Sequence, residues 1–430
     1  MLLQTTDPEL AKSLNSELKR QQEGLEMIPS ENYVSKYVLE ALGSILTNKY
    51  SEGFPDQRYY GGNQFIDEIE KLAKERAKKL FGVDHANIQP YSGSPANQAA
   101  IFALCNPGDT IMGMHLFYGG HLTHGWKVNF SAKYYRSIQY TTGSDGLLDY
   151  DQIETLVKKE RPKVLFCGAT AYPRLYDYPR LAKIIHEVDG YFIADIAHES
   201  GLIAAGVIPS PVGYADIITT TTHKTLRGPR GGMILCNGKP SHPLAPLKKG
   251  ENPREHLPTL IDRAVFPGLQ GGPHNHQTAA IAVTLGEALQ PSFKIYAEQI
   301  LKNAKSLADA LIDKGFELVT NGTDNHLMLI NTTKKGLTGK EAELALDKAG
   351  ITVNKNTIPF DERSPYDPSG IRLGTPALTT RGMKEKEMEQ IAIWISEVFD
   401  HSNDEKVLAH IREQVKATTD QFPIYKEIEY

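Results

Sequence analysis

The sequence predicts an α/β fold, with a large domain on a mostly parallel sheet between helices and a smaller C-terminal α+β domain. Three observations carry this. Segments with 3.6-residue periodicity alternate with short β-rich runs through most of the first 290 residues, the pattern of a sheet wrapped by helices. Residues 164–195 read as one βαβ unit, because an amphipathic run over 178–188, closed by Asp189-Gly190, lies between two apolar runs. Beyond about residue 290 the pattern changes to strand, strand, helix, strand and two terminal helices.

In chain order, helices are expected over 8–24, 33–46 and 63–81, the last stopped by Gly82, since glycine accepts the left-handed conformation that ends helices. Strands are expected over 110–114, 133–139, 163–167, 191–195, 217–221 and 233–236, and a helix over 98–104. Helices over 278–289 and 296–314 follow, then strands at 316–320 and 327–332, a helix over 339–349 and a strand at 352–354. The domains are set at 1–290, an N-terminal arm with the large domain, and 291–430, because Pro291 breaks the periodicity. A helix crossing that point is the alternative. Residues 237–258, rich in Lys, Pro and Gly without periodicity, read as a surface excursion.

Composition narrows the function. The chain has 430 residues, 40% of them hydrophobic and 23% charged, which excludes disorder and allows a large core. With 47 basic and 52 acidic residues its formal charge is −5, giving no global reason to bind nucleic acid or an anionic membrane. Cys105, Cys167 and Cys236 are odd in number with no CxxC pair, so neither a disulfide framework nor a zinc site is expected. The start MLLQTTDPEL lacks a leader pattern, and no run reaches the roughly 20 apolar residues of a membrane span. A cytoplasmic location is expected.

Three elements carry chemistry. In TTTTHKTLRGPRGG (219–232), Lys224 follows an uncharged β-rich run, where a strand delivers it to a ligand crevice. A lysine there suits Schiff-base formation, because its amine condenses with an aldehyde; read alone, the stretch is equally a solvated basic turn. Upstream, the near-apolar run 191–195 ends in Asp195, with His198 three residues on. A carboxylate at the end of a buried strand needs a partner, and a protonated pyridine nitrogen, a helix N-terminus or a histidine would serve. Asp195 and Lys224 stand 29 positions apart, room for one helix and one strand, so both can reach one sheet edge from neighbouring strands. In QPYSGSPAN (89–97), hydroxyls, a glycine and free amides at a helix start form a phosphate cradle, although Ser94-Pro95 is also an ordinary helix start. Schiff-base lysine, pyridinium carboxylate and phosphate site together are the inventory of a pyridoxal-phosphate enzyme.

These stretches, with IPSENY (28–33), LTNKYSEGFPDQRYYGG (46–62), GGHLTHG (119–125), ADIAH (194–198), AVFPGLQGGPHNH (264–276), NKNTIP (354–359) and SGIRLGTPALTTRG (369–382), resemble the serine hydroxymethyltransferase family, of the aspartate-aminotransferase-like pyridoxal-phosphate-dependent fold. The likeness runs from about Gln21 to Trp394. It implies reversible interconversion of L-serine and tetrahydrofolate, the cosubstrate, with glycine and 5,10-methylenetetrahydrofolate. It implies that pyridoxal 5'-phosphate is bound by Lys224 as a Schiff base, by Asp195 at the pyridine nitrogen and by His121 stacked on the ring, with Thr170 and His198 near the phenolic oxygen. Ser92, Gly93, Ser94 and His223 would hold the phosphate, with Tyr50, Gly271 and Gly272 arriving from a second subunit. Arg372 would take the substrate carboxylate, supported by Arg230 and Ser30. Glu52, Tyr59 and Tyr60 would sit where the hydroxymethyl group is released, and folate would meet Leu116, Gly120, Leu122, Asn356, Ser364, Pro365 and Tyr366. Lys224, Glu52, His223 and Tyr60 are the implied catalytic set. A homodimer with shared sites follows, a tetramer being the alternative.

A metal is not expected. His121 and His124 stand three apart, and His274 and His276 add a pair, but no carboxylate or thiolate accompanies them at ligand spacing. Tyr50, Tyr59 and Tyr60 lie in the polar settings KYSEG and DQRYYGG, which suits a wet pocket better than a core. Thr170 stands where serine is more usual in the family, and Glu199-Ser200 replace small apolar residues after His198; both leave the cofactor chemistry intact. The competing readings are a folate-independent threonine or β-hydroxy amino acid aldolase, an α-methylserine hydroxymethyltransferase and a non-catalytic protein of this fold. An aldolase would be expected to lose NKNTIP and GGHLTHG, and a non-catalytic chain to lose Lys224 or Asp195; all are present.

Overall fold

The computed structural model describes residues 2–239 and 250–430. Most of the unit Val34–Glu298 is organised by a seven-stranded sheet. Its strands are β1 His85–Asn87, β2 Thr110–Met114, β3 Arg136–Tyr140, β4 Val164–Cys167, β5 Tyr191–Asp195, β6 Ile217–Thr221 and β7 Gly232–Cys236, in the spatial order β1-β7-β6-β5-β4-β2-β3. All pairings are parallel except those of β7, which runs antiparallel to β6 and β1. β4 and β6 are buried along their whole length, which is why VLFC and IITTT carry no charge.

The βαβ unit forms as expected. The Tyr178–His186 helix joins β4 to β5, with Leu165 opposite Phe192 and Phe166 opposite Ile193. Asp177 starts that helix by accepting from the Arg180 amide at 3.0 Å. Against the sheet, Ala96, Ala99, Ala100 and Ile101 of the Gly93–Leu104 helix and Ile261 of the Leu257–Arg263 helix share one core with Phe166, Ile193, Ile217 and Ile234. Each large apolar side chain buried there contributes ~1.5–3 kcal/mol. The small alanines bring the helix close enough for its N-terminus to serve the sheet edge.

Several boundaries differ from expectation for local reasons. The helix expected over 33–46 spans only Lys36–Leu42, because Ser35 caps it and Gly43 ends it. The strand expected at 133–139 starts at Arg136, since Asn129 caps a short Phe130–Tyr134 helix first. The Tyr150–Glu160 helix went unpredicted, as its charged sequence buries only Ile153 and Val157. Of the excursion expected over 237–258, residues 240–249 lie outside the described residues, and Pro253–His256 is already a 3₁₀ turn.

The second unit is Met1–Tyr33 with Gln299–Tyr430, whereas the expected division placed residues 1–33 with the large domain and cut at 290/291. Pairing across the sequence explains the grouping: Leu25–Glu26 runs parallel to Ile351–Thr352, and Leu25 and Met27 share a core with Leu307, Leu311, Ile351 and Leu373. Pro291 opens the Pro291–Asp313 helix, where its missing N–H costs nothing. Strands β8 Glu317–Leu318, β9 Leu327–Asn331, β10 Asn354–Asn356 and β11 Gly370–Gly374 form an antiparallel sheet in the order β8-β9-β11-β10. The strand expected at 352–354 is divided at Val353, its first part pairing with Leu25–Glu26 and its second with β11. β11 itself, in SGIRLG, went unread as a strand because glycines flank three residues of side-chain pattern. No helix among the described residues is long and apolar enough to cross a membrane.

Candidate active site

The stretch expected to cradle a phosphate lies where the Gly93–Leu104 helix starts. Ser92 is extended and takes the N-cap position without its hydroxyl capping the helix, so the first amides, those of Gly93 and Ser94 included, have no acceptor within the helix. The loop lies hard against the sheet: a Cβ at Gly93 would stand 2.7 Å from Thr221 Cγ2, at the end of β6. Two residues on, the Nδ1 atom of His223 is buried with no hydrogen-bond partner among the described residues. Burial and the charges of Arg230 and Lys224 push His223 down to about 3, so its ring is neutral. Free amides, a hydroxyl and an orphaned imidazole nitrogen suit a phosphate group.

At the end of β5, Asp195 is held from three sides. Its Oδ2 accepts from Asn97 Nδ2 at 2.7 Å and lies 3.0 Å from His124 Nε2, while Oδ1 accepts from the Ala197 amide at 3.0 Å. Asn97 is itself fixed, accepting from Thr219 Oγ1 at 2.5 Å and donating to Thr123 Oγ1 at 2.8 Å. Burial alone would raise the Asp195 carboxyl, but the His124 hydrogen bond and charge, with the charge of Lys224, hold it well below the usual carboxylate range. The result is a buried, ionised carboxylate. His121 lies beside it, its Nδ1 2.6 Å from Thr123 Oγ1, and burial together with His124 pushes it down to about 4, leaving a neutral ring.

A carboxylate does accompany His121 and His124, because the fold brings Asp195 from β5, and the three donor atoms lie within 4.8 Å of one another. Sequence spacing could not show it. The Oδ2 atom that would face an ion takes hydrogen bonds from Asn97 and His124 instead. The cluster holds a carboxylate in place.

Lys224 follows β6 on a loop that closes on itself. Thr222 donates its amide to Gly231 and its hydroxyl to Pro229, and Gly228 donates to the Thr222 carbonyl. Thr225 bridges this loop to the segment after β5, donating to the His198 carbonyl at 2.9 Å and accepting from the Gly201 amide. β5 and β6 are paired in register, Asp195 opposite Thr219, so the expectation that neighbouring strands carry Asp195 and Lys224 to one edge holds. Thr170, after β4, donates its hydroxyl to the carbonyls of Gly119 and Gly120, which ties it to the His121 loop. His198 is buried and Arg230 exposed. Leu116 and Leu122 begin two 3₁₀ turns flanking Gly120, and Leu122 is exposed.

A second group gathers around Glu52. The rings of Tyr50 and Tyr60 meet edge to face at 5.1 Å, and Tyr59 packs on Phe266. Cβ atoms at Gly271 and Gly272 would stand 3.1 Å from Glu52 Oε1 and 3.2 Å from the Tyr50 ring. The residues expected to be lent to a partner therefore lie together in one chain. Tyr50, Tyr59 and Tyr60 are 55%, 60% and 48% exposed, which excludes the core alternative. Glu52 makes no hydrogen bond or ion pair through its carboxylate among the described residues; Arg58 is engaged elsewhere, by Asp67 and Glu70.

In the other unit, Arg372 on β11 is buried and donates Nε to Asn354 Oδ1 at 3.0 Å. Burial pushes its guanidinium down to about 10, with the Glu31 charge opposing, so it stays cationic at neutral pH. Ser30 lies in a turn closed by the Glu31 amide on the Ile28 carbonyl. Asn356 ends β10, and Ser364, Pro365 and Tyr366 are exposed, Tyr366 at 86%. Asn97 and Thr219 carry no functional signal of their own in the sequence, and His124 stands out there only as a metal candidate. Asn97 stands in the QPYSGSPAN motif and Thr219 in the threonine run, but only the tertiary fold turns them onto Asp195.

A family model described as serine hydroxymethyltransferase matches residues 3–395. The serine hydroxymethyltransferase of Acidothermus cellulolyticus is 56% identical over 428 residues, 98% of this chain and 96% of that protein. Those of Acidobacterium capsulatum and Sorangium cellulosum are each 53% identical over 98% of this chain, covering 95% and 96% of their own lengths. The chain belongs to the serine hydroxymethyltransferase family, and the α/β architecture with its lysine loop beside a buried carboxylate is that family's pyridoxal-phosphate-dependent transferase fold.

Proposed function

We infer that the chain is a glycine hydroxymethyltransferase, interconverting L-serine and tetrahydrofolate with glycine and 5,10-methylenetetrahydrofolate. The observation that carries this is the juxtaposition, in a chain of this family, of the Lys224 loop with the ionised Asp195 and the amide-rich Ser92–Ser94 turn. The residues fit pyridoxal phosphate: His223 offers a buried nitrogen with no hydrogen-bond partner among the described residues, and Asp195 a carboxylate that matches a protonated ring nitrogen. Bound there, the cofactor supplies an electron-withdrawing ring that stabilises charge left on the substrate Cα when a bond to it breaks.

The chain's own residues do the rest. Lys224 supplies the amine that holds the cofactor covalently. Asp195, kept ionised by Asn97 and His124, fixes the ring nitrogen's proton. His121, neutral, offers a flat face for stacking. Arg372 takes the amino-acid carboxylate through a planar two-donor fork. Among the described residues the Glu52 carboxylate has no hydrogen-bond partner, and it is proposed to give a proton to the hydroxyl oxygen, which leaves as water, and to regain one from the folate nitrogen that takes up the one-carbon unit. Tyr59, Leu116, Gly120, Leu122, Asn356 and the segment 364–366 are proposed for folate. The exposed Tyr50, Tyr59 and Tyr60 support a homodimer in which this cluster completes the partner's site, and a cytoplasmic location is proposed with it.

The test is an absorbance titration of the purified protein with glycine, with and without tetrahydrofolate. A visible band that grows strongly only when both are present supports the transferase. Growth with glycine alone, unaffected by folate, favours the aldolase.

A further inference from the structure

Among the described residues the Glu52 side chain has no hydrogen-bond or ion-pair partner to aim it, so its direction comes from its backbone. That backbone is clamped on both sides. Arg58 Nη1 donates to the carbonyls of Ser51 at 2.9 Å and Gly53 at 2.8 Å, the two residues that flank Glu52. The same guanidinium donates through Nε to Asp67 Oδ1 at 2.8 Å and through Nη2 to Glu70 Oε2 at 2.6 Å. Arg58 and Glu70 side chains are each 3% exposed and Asp67 14%, so this is a buried ionic cluster. Gln89 extends it, donating to the Gly53 carbonyl and to Glu70 Oε1, both at 3.0 Å. On the other side Ser51 donates its hydroxyl to Asn275 Oδ1 at 2.7 Å, and Asn275 donates to the Lys49 carbonyl at 2.6 Å.

Buried ion pairs add little net stability, because desolvating the charges offsets most of their attraction. A planar fork that reaches two carbonyls and two carboxylates at once instead fixes geometry, which a lysine could not reproduce. We propose that Arg58 is a positioning residue for Glu52: through the Ser51 and Gly53 carbonyls it sets the direction of the Glu52 side chain toward its proton-transfer position. The proposal rests on the reading of Glu52 as the acid of the transfer step. Asp67, Glu70 and Gln89 act behind it by holding the guanidinium and the Gly53 carbonyl.

The test is a double-mutant cycle on the holoenzyme with Arg58→Lys and Glu52→Gln, reading kcat for serine-to-folate transfer, serine KM, the cofactor absorbance spectrum and the melting temperature. Arg58→Lys is expected to lower kcat roughly ten- to hundredfold, the scale of an ångström-sized misplacement of a reacting group, while KM and the cofactor spectrum stay near wild type. In the Glu52→Gln background the same change should have almost no further effect on kcat, since there is no acid left to misplace. Full multiplication of the two losses would make Arg58 merely structural and overturn the proposal while leaving Glu52 as the acid. If Glu52→Gln alone keeps near wild-type turnover, the acid reading fails and the proposal with it. Should Arg58→Lys fail to fold, Asp67→Asn, which keeps an acceptor for Nε but loosens the clamp, runs the same cycle, with the same two outcomes deciding it.

Discussion

Asp195 and Glu52 are two carboxylates of the same unit, held in opposite ways. Asp195 is gripped by side chains: Asn97, His124 and the Ala197 amide occupy it, and the second layer of Thr219 and Thr123 holds Asn97. Among the described residues Glu52 has no side-chain hydrogen bond and is fixed through its backbone, by the Arg58 donors to Ser51 and Gly53 and by the Tyr59 amide on its own carbonyl. The difference matches the roles proposed for the two groups, a standing charge for Asp195 and proton transfer for Glu52. A carboxylate that must stay ionised is served by fixed donors, which stabilise the charged form. A carboxyl that must give up and recover a proton is served by a fixed position and no fixed donor.

The largest effect that sharpens this comparison is expected at Lys224, whose charge helps keep Asp195 ionised. Lys224→Ala should abolish transferase activity and leave no lysine labelled when the holoenzyme is reduced with borohydride and its peptides mapped. Label on another lysine of the wild-type protein would move the covalent site elsewhere. Next comes Glu52→Gln, which keeps shape and removes the acid. Hydroxymethyl transfer should fall by roughly two or more orders of magnitude, within the ~10²–10⁴-fold range of general acid–base catalysis. Binding of glycine, measured by its effect on the cofactor spectrum, should survive, since the Asp195 cluster is untouched; loss of both would erase the proposed division between the two carboxylates.

A smaller effect tests whether the Glu52 group serves a neighbour. Tyr50→Phe and Lys224→Ala chains, each impaired alone, should regain part of the wild-type rate when mixed after reversible dissociation, because one site of each heterodimer then carries neither defect. Mixed dimers confirmed by mass but without recovered activity would place the whole site within one chain. The smallest effect concerns pH. In the folded chain His121 stays neutral down to about 4, whereas in the unfolded chain it protonates near 6.5. The unfolded state therefore binds more protons in that window, and stability should fall as pH drops from 6.5 to about 4. His121→Asn should flatten the slope of melting temperature against pH across that window; an unchanged slope would place the titration elsewhere.

Much of this was legible in the chain. β2, β5 and β6 fall where their apolar, β-branched runs place them, and Gly82 ends the Gln64–Phe81 helix with φ +70° as a glycine stop should. These features are local, so side-chain pattern and backbone preference determine them without help from distant residues. The placing of Asp195 at the end of an apolar strand and of Lys224 just beyond an uncharged one was also readable. What tertiary structure alone decided is everything that depends on distant segments meeting. Leu25 and Met27 joined the core of Leu307 and Leu373 rather than the domain they precede, because their strand had an edge to pair with at Ile351–Thr352. His124 and Asn97 met Asp195 only after β5, the His121 loop and the Gly93–Leu104 helix had been brought to one sheet edge. Hydrogen bonds and charge act over a few ångströms of space and are indifferent to sequence separation, so the residues that set a group's ionisation can be read only where the chain has folded them together.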